Sequence, residues 1–431
     1  MLGQTLPRFP TGRPPTLAGP ALAVTTSLVL AWSLARLPLA LPFVDARVYA
    51  GGVRAWRDGE ALYRVAIPAL PGTDFSLPFT YPPFALVPFV ALFSSSVLLG
   101  VVLLTAGGLL ALWGTLLVVA RRITDDAPRA GALAAVFAGA SLLVEPVTET
   151  LLFGQVNLLL MGMVAADCLV RSPRWPRGAL VGVAAAIKLT PAVFVVFFLA
   201  HRQWRAAATT GLSFLACTLV GWVMAPASSL DYWTRAVLDP TRIGTVAYVG
   251  NQSIRGALER LGLTGAPAAL AWVGLSVAVG VVALHVVRRA RAAGDDVTAW
   301  LALCATTVLV SPISWSHHWV WVVPLALVLV CHAARARRVG PWRLVALVLV
   351  IVTTAPHWWV LGAQERDALS WWHQPLAASY VLMGLGLLTL AARRPNVLAP
   401  GLSRGSATAA SRGRDRPRVT EDHPISGMIP S

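Results

Sequence analysis

Long apolar runs alternate with short polar gaps along the whole chain. Several runs reach the roughly 20 residues that a membrane-spanning helix needs. None has the period-two alternation of a barrel strand, so helices must satisfy the backbone in lipid. The runs fall near residues 17–44, 97–120, 130–144, 152–170, 206–226, 266–287, 297–313, 318–332, 343–361 and 376–392. Two further apolar pieces do not fit as full spans. Residues 81–95 open with Tyr81-Pro82-Pro83-Phe84 and read as a re-entrant or interfacial segment. Residues 178–200 carry arginines at both ends, so a single crossing would strand one basic cluster on the wrong side. This stretch reads as a short hairpin with Lys188-Leu189-Thr190-Pro191 at its tip, where proline disfavours a continuous helix.

Composition strengthens this picture. The 431 residues are 56% hydrophobic and 13% charged, whereas soluble domains carry about 25% charged residues. The formal charge of +16 invites a nucleic-acid partner. That reading fails because most arginines cluster in short loops between the runs: Arg8 and Arg13, Arg121-Arg122, Arg171 to Arg177, Arg202 to Arg205, Arg288 to Arg291, Arg335 to Arg343, and Arg393-Arg394. The positive-inside rule puts these gaps in the cytoplasm. The expected fold is an all-α polytopic membrane protein of about 12 membrane helices, counting the hairpin arms separately, with both termini inside. Residues 1–16 and the basic tail 393–431 contain too few large apolar groups to fold and read as disordered cytoplasmic tails. The first run is too long for a signal-peptide core and reads as an uncleaved span. Cys168, Cys217, Cys304 and Cys331 sit in or beside apolar runs without paired metal spacing, so they read as small core residues.

The same topology sends most of the unusual polar groups outward. Asp45 stands where the first span would meet water, at the head of an outer loop, 45–80. A carboxylate there can take a proton from a substrate whose tail stays in lipid; the simpler reading is a helix cap or an Arg47 partner. Lys188, the sole lysine, lies inside an apolar stretch, where charge is costly and functional by default. It can neutralise a lipid phosphate, or pair with Glu145 or Asp167 in packing alone. Arg36, nine residues before Asp45, is about 13 Å from it along a helix and either meets a phosphate or snorkels to the headgroups. In the second outer loop, 227–265, Asn251-Gln252-Ser253-Ile254-Arg255 offers amides for sugar hydroxyls and a guanidinium for phosphate; a capped helix with a solvated arginine is the alternative. His317-His318 suggests a hydrogen bond to phosphate or substrate rather than a metal site, because adjacent helical residues point apart and no companion ligands are evident. Trp358, Trp359, Trp371 and Trp372 frame the last outer loop as an interfacial belt, from which one or two rings can stack on sugar.

In chain order these residues form a recognisable set: Asp45-x-x-Val48-Tyr49, Gly59-x-x-Leu62-Tyr63, Tyr81-Pro82-Pro83, Gly154-Gln155-x-Asn157, Lys188-x-Thr190-Pro191, Asn251-Gln252-Ser253 and His317-His318. The set resembles the polyprenol-phosphate-mannose-dependent α-1,2-mannosyltransferases of actinobacteria, glycosyltransferase family 87 of the GT-C superfamily, over about residues 17–392. The resemblance implies a GT-C helical bundle as the catalytic domain, with its site on the periplasmic face of the plasma membrane. It implies inverting transfer of mannose from polyprenyl-phosphate mannose to a mannosylated lipid, a phosphatidylinositol mannoside or lipomannan and lipoarabinomannan. Asp45 is then the general base. Lys188, Arg255, His317, His318 and Arg36 are expected on the donor phosphate, and Tyr49, Tyr81, Gln155, Asn157, Asn251 and Gln252 on substrate. No metal or other cofactor is demanded, since cationic side chains can handle a monophosphate leaving group. The rivals are a related arabinofuranosyl- or glucosyltransferase, and a lipid-sugar flippase. The flippase is disfavoured because no transporter-like internal repeat is evident and Asp167 is the only acid well inside an apolar run.

Overall fold

The computed structural model describes residues 43–70, 72–336, 338–364 and 369–394. The first apolar run up to residue 42, Arg36, Glu365 and nearly all of both tails lie outside the described residues. The chain is helical almost throughout. Four helices are long and apolar enough to cross a membrane: Val97–Ile123, Trp204–Met224, Gly265–Ala292 and Ser316–Ala336. Three bent pairs bring the number to as many as seven: Ala127–Leu143 with Glu145–Phe153 (75°), Val339–Thr354 with Pro356–Gln364 (49°), and Trp371–Ala377 with Ser379–Arg393 (68°). Large apolar side chains along the first three long helices, including Leu98, Val102, Leu110, Leu212, Val223, Leu270 and Val281, are exposed. A face of this kind is costly in water and neutral in lipid.

The breaks follow the sequence. Pro146 sits in the first turn of Glu145–Phe153 and enforces the bend after Leu143. Gly154 ends that helix at φ 67°, a left-handed cap, and a new helix, Asn157–Leu169, begins three residues later. The run read as a span over 152–170 is therefore a 13-residue helix following a sharp turn. Its apolar character comes from burial within the protein as well as from lipid.

Segment 178–200 divides into the helix Ala179–Ile187, a 3-10 turn Thr190–Phe194 and the helix Val195–Ala200. Gly178 packs directly against the Ala206 carbonyl, and Ala200 leads through a short turn into Trp204. Both ends of the segment thus lie at the same end of Trp204–Met224, and Lys188 leaves the first arm in extended conformation. Asp167 caps that arm, accepting from the backbone N–H groups of Gly178 (2.9 Å) and Val181 (3.0 Å) and from the Trp175 indole (3.1 Å). Beside this end Arg122 bridges Asp296 (2.8 Å) and the Leu169 carbonyl (2.8 Å from Nε), and His201 joins the same carboxylate at 3.1 Å.

Residues 45–80 are built on the amphipathic helix Val44–Arg57, which buries Ala46, Val48, Tyr49 and Val53. A two-stranded antiparallel ribbon follows, pairing Ala66–Pro68 with Ser76–Pro78. Each strand has three residues, too few to register as alternation in the sequence. Tyr49 stacks on Phe89 of the short helix Leu86–Phe93, with ring centres 4.1 Å apart, so segment 81–95 closes over the amphipathic helix.

Candidate functional site

A cavity of about 830 Å³ opens between residues 44–82, the hairpin tip and the 232–250 loop. Asp45, Tyr81, Gln155, Lys188, His317 and His318 line it together. Asp45 reaches it because the Val44–Arg57 helix lies against Gly154, whose missing Cβ would otherwise stand 2.8 Å from that of Ala46. The carboxyl faces the cavity with protein packed around it. Burial pushes its pKa up to about 6, against a hydrogen bond from Gln155 and the positive charge of Lys188. Such a group is ionised at neutral pH yet basic enough to accept a proton.

The Gln155 amide is fixed by two phenols. Its Oε1 stands 2.9 Å from the Tyr49 hydroxyl and 3.0 Å from that of Tyr81, and these hydroxyls are 2.8 Å from each other. With Oε1 committed to these hydroxyls, the amide NH₂ is the part left for Asp45. Tyr49 is fully buried and supports this arrangement from behind the cavity wall.

Lys188 presents its ammonium to the same space. Nζ donates to Asn157 Oδ1 at 3.0 Å and stands 3.0 Å from His318 Nε2 and 5.7 Å from the centre of the Tyr81 ring. Neither carboxylate considered as its packing partner holds it. Asp167 caps the hairpin, and Glu145 accepts from Trp358 Nε1 (3.0 Å) and the Tyr380 hydroxyl (2.8 Å). Asn157 also donates to the His317 carbonyl at 3.0 Å, joined there by Thr150 at 2.9 Å. The His317 backbone is thereby held while its buried Nε2 has no partner among the described residues.

Three expected residues are held elsewhere. Arg255 pairs with Glu259 (3.2 Å) and lies over the Trp272 ring (5.7 Å), away from the cavity lining. Asn251 is spent on backbone: Nδ2 donates to the carbonyls of Val246 and Pro312, and Oδ1 accepts from Ser314 N–H. Gln252 likewise donates to the carbonyls of Val249 and Ala377 and accepts from Tyr380 N–H. Both amides are fully buried and tie irregular backbone of three segments together, which removes the cost of leaving those groups unpaired.

The cavity also holds residues that the sequence did not single out. Arg242 lines it, with Nη2 donating to the carbonyls of Tyr63 (3.0 Å) and Phe79 (3.3 Å). Nothing in the spacing of this loop distinguishes this arginine from Arg235. Glu149, Tyr248 and Trp315 line it as well. Among the described residues, no three His, Cys, Asp or Glu side chains converge as metal ligands.

Residues 79–312 match the model of glycosyltransferase family 87. The chain is 35% identical to the polyprenol-phosphate-mannose-dependent alpha-(1-2)-phosphatidylinositol mannoside mannosyltransferase of Mycobacterium tuberculosis, over 81% of this chain and 84% of that protein. It is 35% identical to the protein of the same name from Mycolicibacterium smegmatis, over 88% and 90%. A polyprenol-phosphate-mannose-dependent alpha-(1-2)-phosphatidylinositol pentamannoside mannosyltransferase of Mycolicibacterium smegmatis is 36% identical over 78% and 81%. No solved structure matches significantly. On the family match and on these relatives, the chain belongs to glycosyltransferase family 87.

Proposed function

We propose that this glycosyltransferase moves mannose from polyprenyl-phosphate mannose to a hydroxyl of a phosphatidylinositol mannoside, forming an α-1,2 bond with inversion. The donor and acceptor are those in the names of its relatives. The observation that carries the reading is the meeting of Asp45 and Lys188 in one cavity large enough for two glycolipid headgroups. The acceptor oxygen attacks the anomeric carbon on the face opposite the phosphate, and its proton passes to Asp45. The bond from that carbon to the phosphate oxygen breaks, and its electron pair leaves with the polyprenyl phosphate. One displacement turns a β donor into an α product and needs no enzyme nucleophile. Lys188 stabilises the phosphate as charge gathers on it, Asn157 and His318 hold the ammonium in position, and the free Nε2 of His317 offers a further contact.

The larger frame of this reading is a GT-C bundle of about 12 membrane helices, with the catalytic domain over residues 17–392, cytoplasmic termini and tails, and the cavity on the periplasmic side. Its support is the separation of charge. Arg121 and Arg122 occupy the last turn of Val97–Ile123, and Arg289 and Arg291 that of Gly265–Ala292. The basic ends of the hairpin lie together at one end of Trp204–Met224, and the Lys188 tip lines the cavity. Basic loops mark the cytoplasm, which leaves the cavity facing outward.

The test is incubation of purified protein in lipid nanodiscs with radiolabelled polyprenyl-phosphate mannose and a panel of mannosylated lipids. The expected result is label on a phosphatidylinositol mannoside, removable by an α-1,2-mannosidase. Label that stays on the donor lipid with every acceptor would overturn the reading.

A further inference from the structure

One wall of the cavity stands apart from the base and the cation. Tyr248, Trp315 and Trp358 line it together. The Tyr248 ring centre is 6.1 Å from that of Trp315 at an interplanar angle of 70°, and 6.0 Å from that of Trp358 at 59°. Rings set at such angles form a corner in the cavity wall. Trp358 cannot swing away, because its indole N–H is bonded to the buried Glu145, which Tyr380 fixes from the other side. Among the described residues the Trp315 indole N–H has no hydrogen-bond partner. Glu149, one helical turn after Glu145, lines the same cavity, and its carboxylate accepts no hydrogen bond from any described residue. An aromatic corner beside a cavity-facing carboxylate offers a polyhydroxylated ring both an apolar surface and hydrogen-bond acceptors.

We propose that Tyr248, Trp315, Trp358 and Glu149 form a subsite for a hexopyranose ring of the acceptor, next to the ring that receives the new sugar. A pyranose has apolar C–H faces and a rim of vicinal hydroxyls. The aromatic corner takes a C–H face, and above about pH 7, the value to which burial and the neighbouring Glu145 charge push its pKa, the two carboxylate oxygens of Glu149 accept from a pair of neighbouring hydroxyls. The Trp315 N–H donates to a ring or glycosidic oxygen. Placement favours the acceptor over the donor. Glu149 is about 6 Å along the helix from Phe153, and Gln155, the partner of Asp45, follows just beyond, a span that a disaccharide covers. The corner is also built partly on the loop that carries the exposed Thr241, Gly244 and Thr245. A donor sugar is one bond from its lipid-linked phosphate and stays beside Lys188, whereas an acceptor glycan extends toward such an outer loop.

This inference rests on the transferase reading above, and its test separates the two. Saturation-transfer NMR of the wild-type protein with a water-soluble, deacylated mannosylated inositol phosphate needs no turnover. Contact at a mannose is expected in the wild type and should be lost in Trp315→Ala and Glu149→Gln. In the kinetic arm, each of these variants should raise the acceptor KM about tenfold and leave the donor KM within about twofold, the size of one stacked ring or one charge-assisted hydrogen bond. Trp315→Phe, which keeps a ring face, should recover most of the acceptor affinity, and its retained donor KM reports a folded enzyme. An acceptor KM unchanged in both variants, a donor KM that rises in step, or no glycan contact in the wild type would each overturn the subsite. Wild-type protein that contacts the glycan but never transfers mannose would count against the transferase reading and leave the subsite standing.

Discussion

The Lys188 ammonium stands 3.0 Å from Nε2 of His318. An ammonium only donates, so this imidazole nitrogen must accept, and His318 is neutral with its proton on Nδ1. The pair therefore delivers one positive charge to the cavity. Removing it by Lys188→Ala should raise the donor KM by about 10- to 100-fold, the range for hydrogen bonds to charged groups. Lys188→Arg should recover little, because a planar fork cannot occupy the place of a compact ammonium held by Asn157 and His318. Steady-state kinetics with varied donor make the comparison, and an unchanged donor KM would return the lysine to a packing role.

Asp45→Asn keeps the shape of the side chain and removes its basicity. Loss of a general base costs about 10²- to 10⁴-fold in rate. The expected result is that loss in kcat with donor KM preserved. Transfer at near wild-type rate by the purified variant would exclude Asp45 as base.

The acidity of Asp45 predicts a pH profile. Its carboxyl is held up near 6 by burial, and only the ionised form accepts a proton. Transfer should fall by about tenfold per unit well below that pH. Gln155→Ala removes a hydrogen bond that favours the ionised form, so the acidic limb should move to higher pH. Profiles of kcat/KM for the two proteins check the sign; a limb that moves to lower pH would contradict the assigned contact.

Gly154→Ala tests how the base is positioned. The new methyl would sit 2.8 Å from the Ala46 Cβ, on a backbone with φ of 67°. The left-handed conformation alone costs about 1–2 kcal/mol, and the clash pushes on the helix that carries Asp45. Thermal melting should fall, and kcat should fall more than donor affinity. Wild-type melting and kcat together would mean that this close approach is unimportant.

Arg255→Ala offers a contrast. Its guanidinium is engaged by Glu259 and Trp272 away from the cavity, so the donor KM should remain within about twofold of wild type. A rise comparable with that of Lys188→Ala would show that Arg255 reaches the phosphate after all.

Much of this site was legible because lipid makes polarity conspicuous. Asp45 stood out at the end of an apolar run and Lys188 inside one, and both line the cavity. Asn251 and Gln252 looked equally like sugar ligands, yet they bond backbone across to Pro312, Ser314 and Ala377. A buried amide that satisfies carbonyls and one that binds hydroxyls have the same sequence signature. Arg242, Glu149 and Trp315 were missed because only tertiary folding brings the 240s loop and the Glu145–Phe153 helix to one wall. Bends such as the 75° turn before Glu145 likewise turned expected spans into short helices, since hydropathy reports burial without direction.

The turn-back at Lys188 has a consequence for lipid handling. Because both ends of the segment lie at one end of Trp204–Met224, the topology proposed above suspends its cation part-way through the membrane thickness. A prenyl phosphate can then dock while its hydrocarbon remains dissolved among the acyl chains. The enzyme need not extract its donor from the bilayer, and only the sugar has to cross into water.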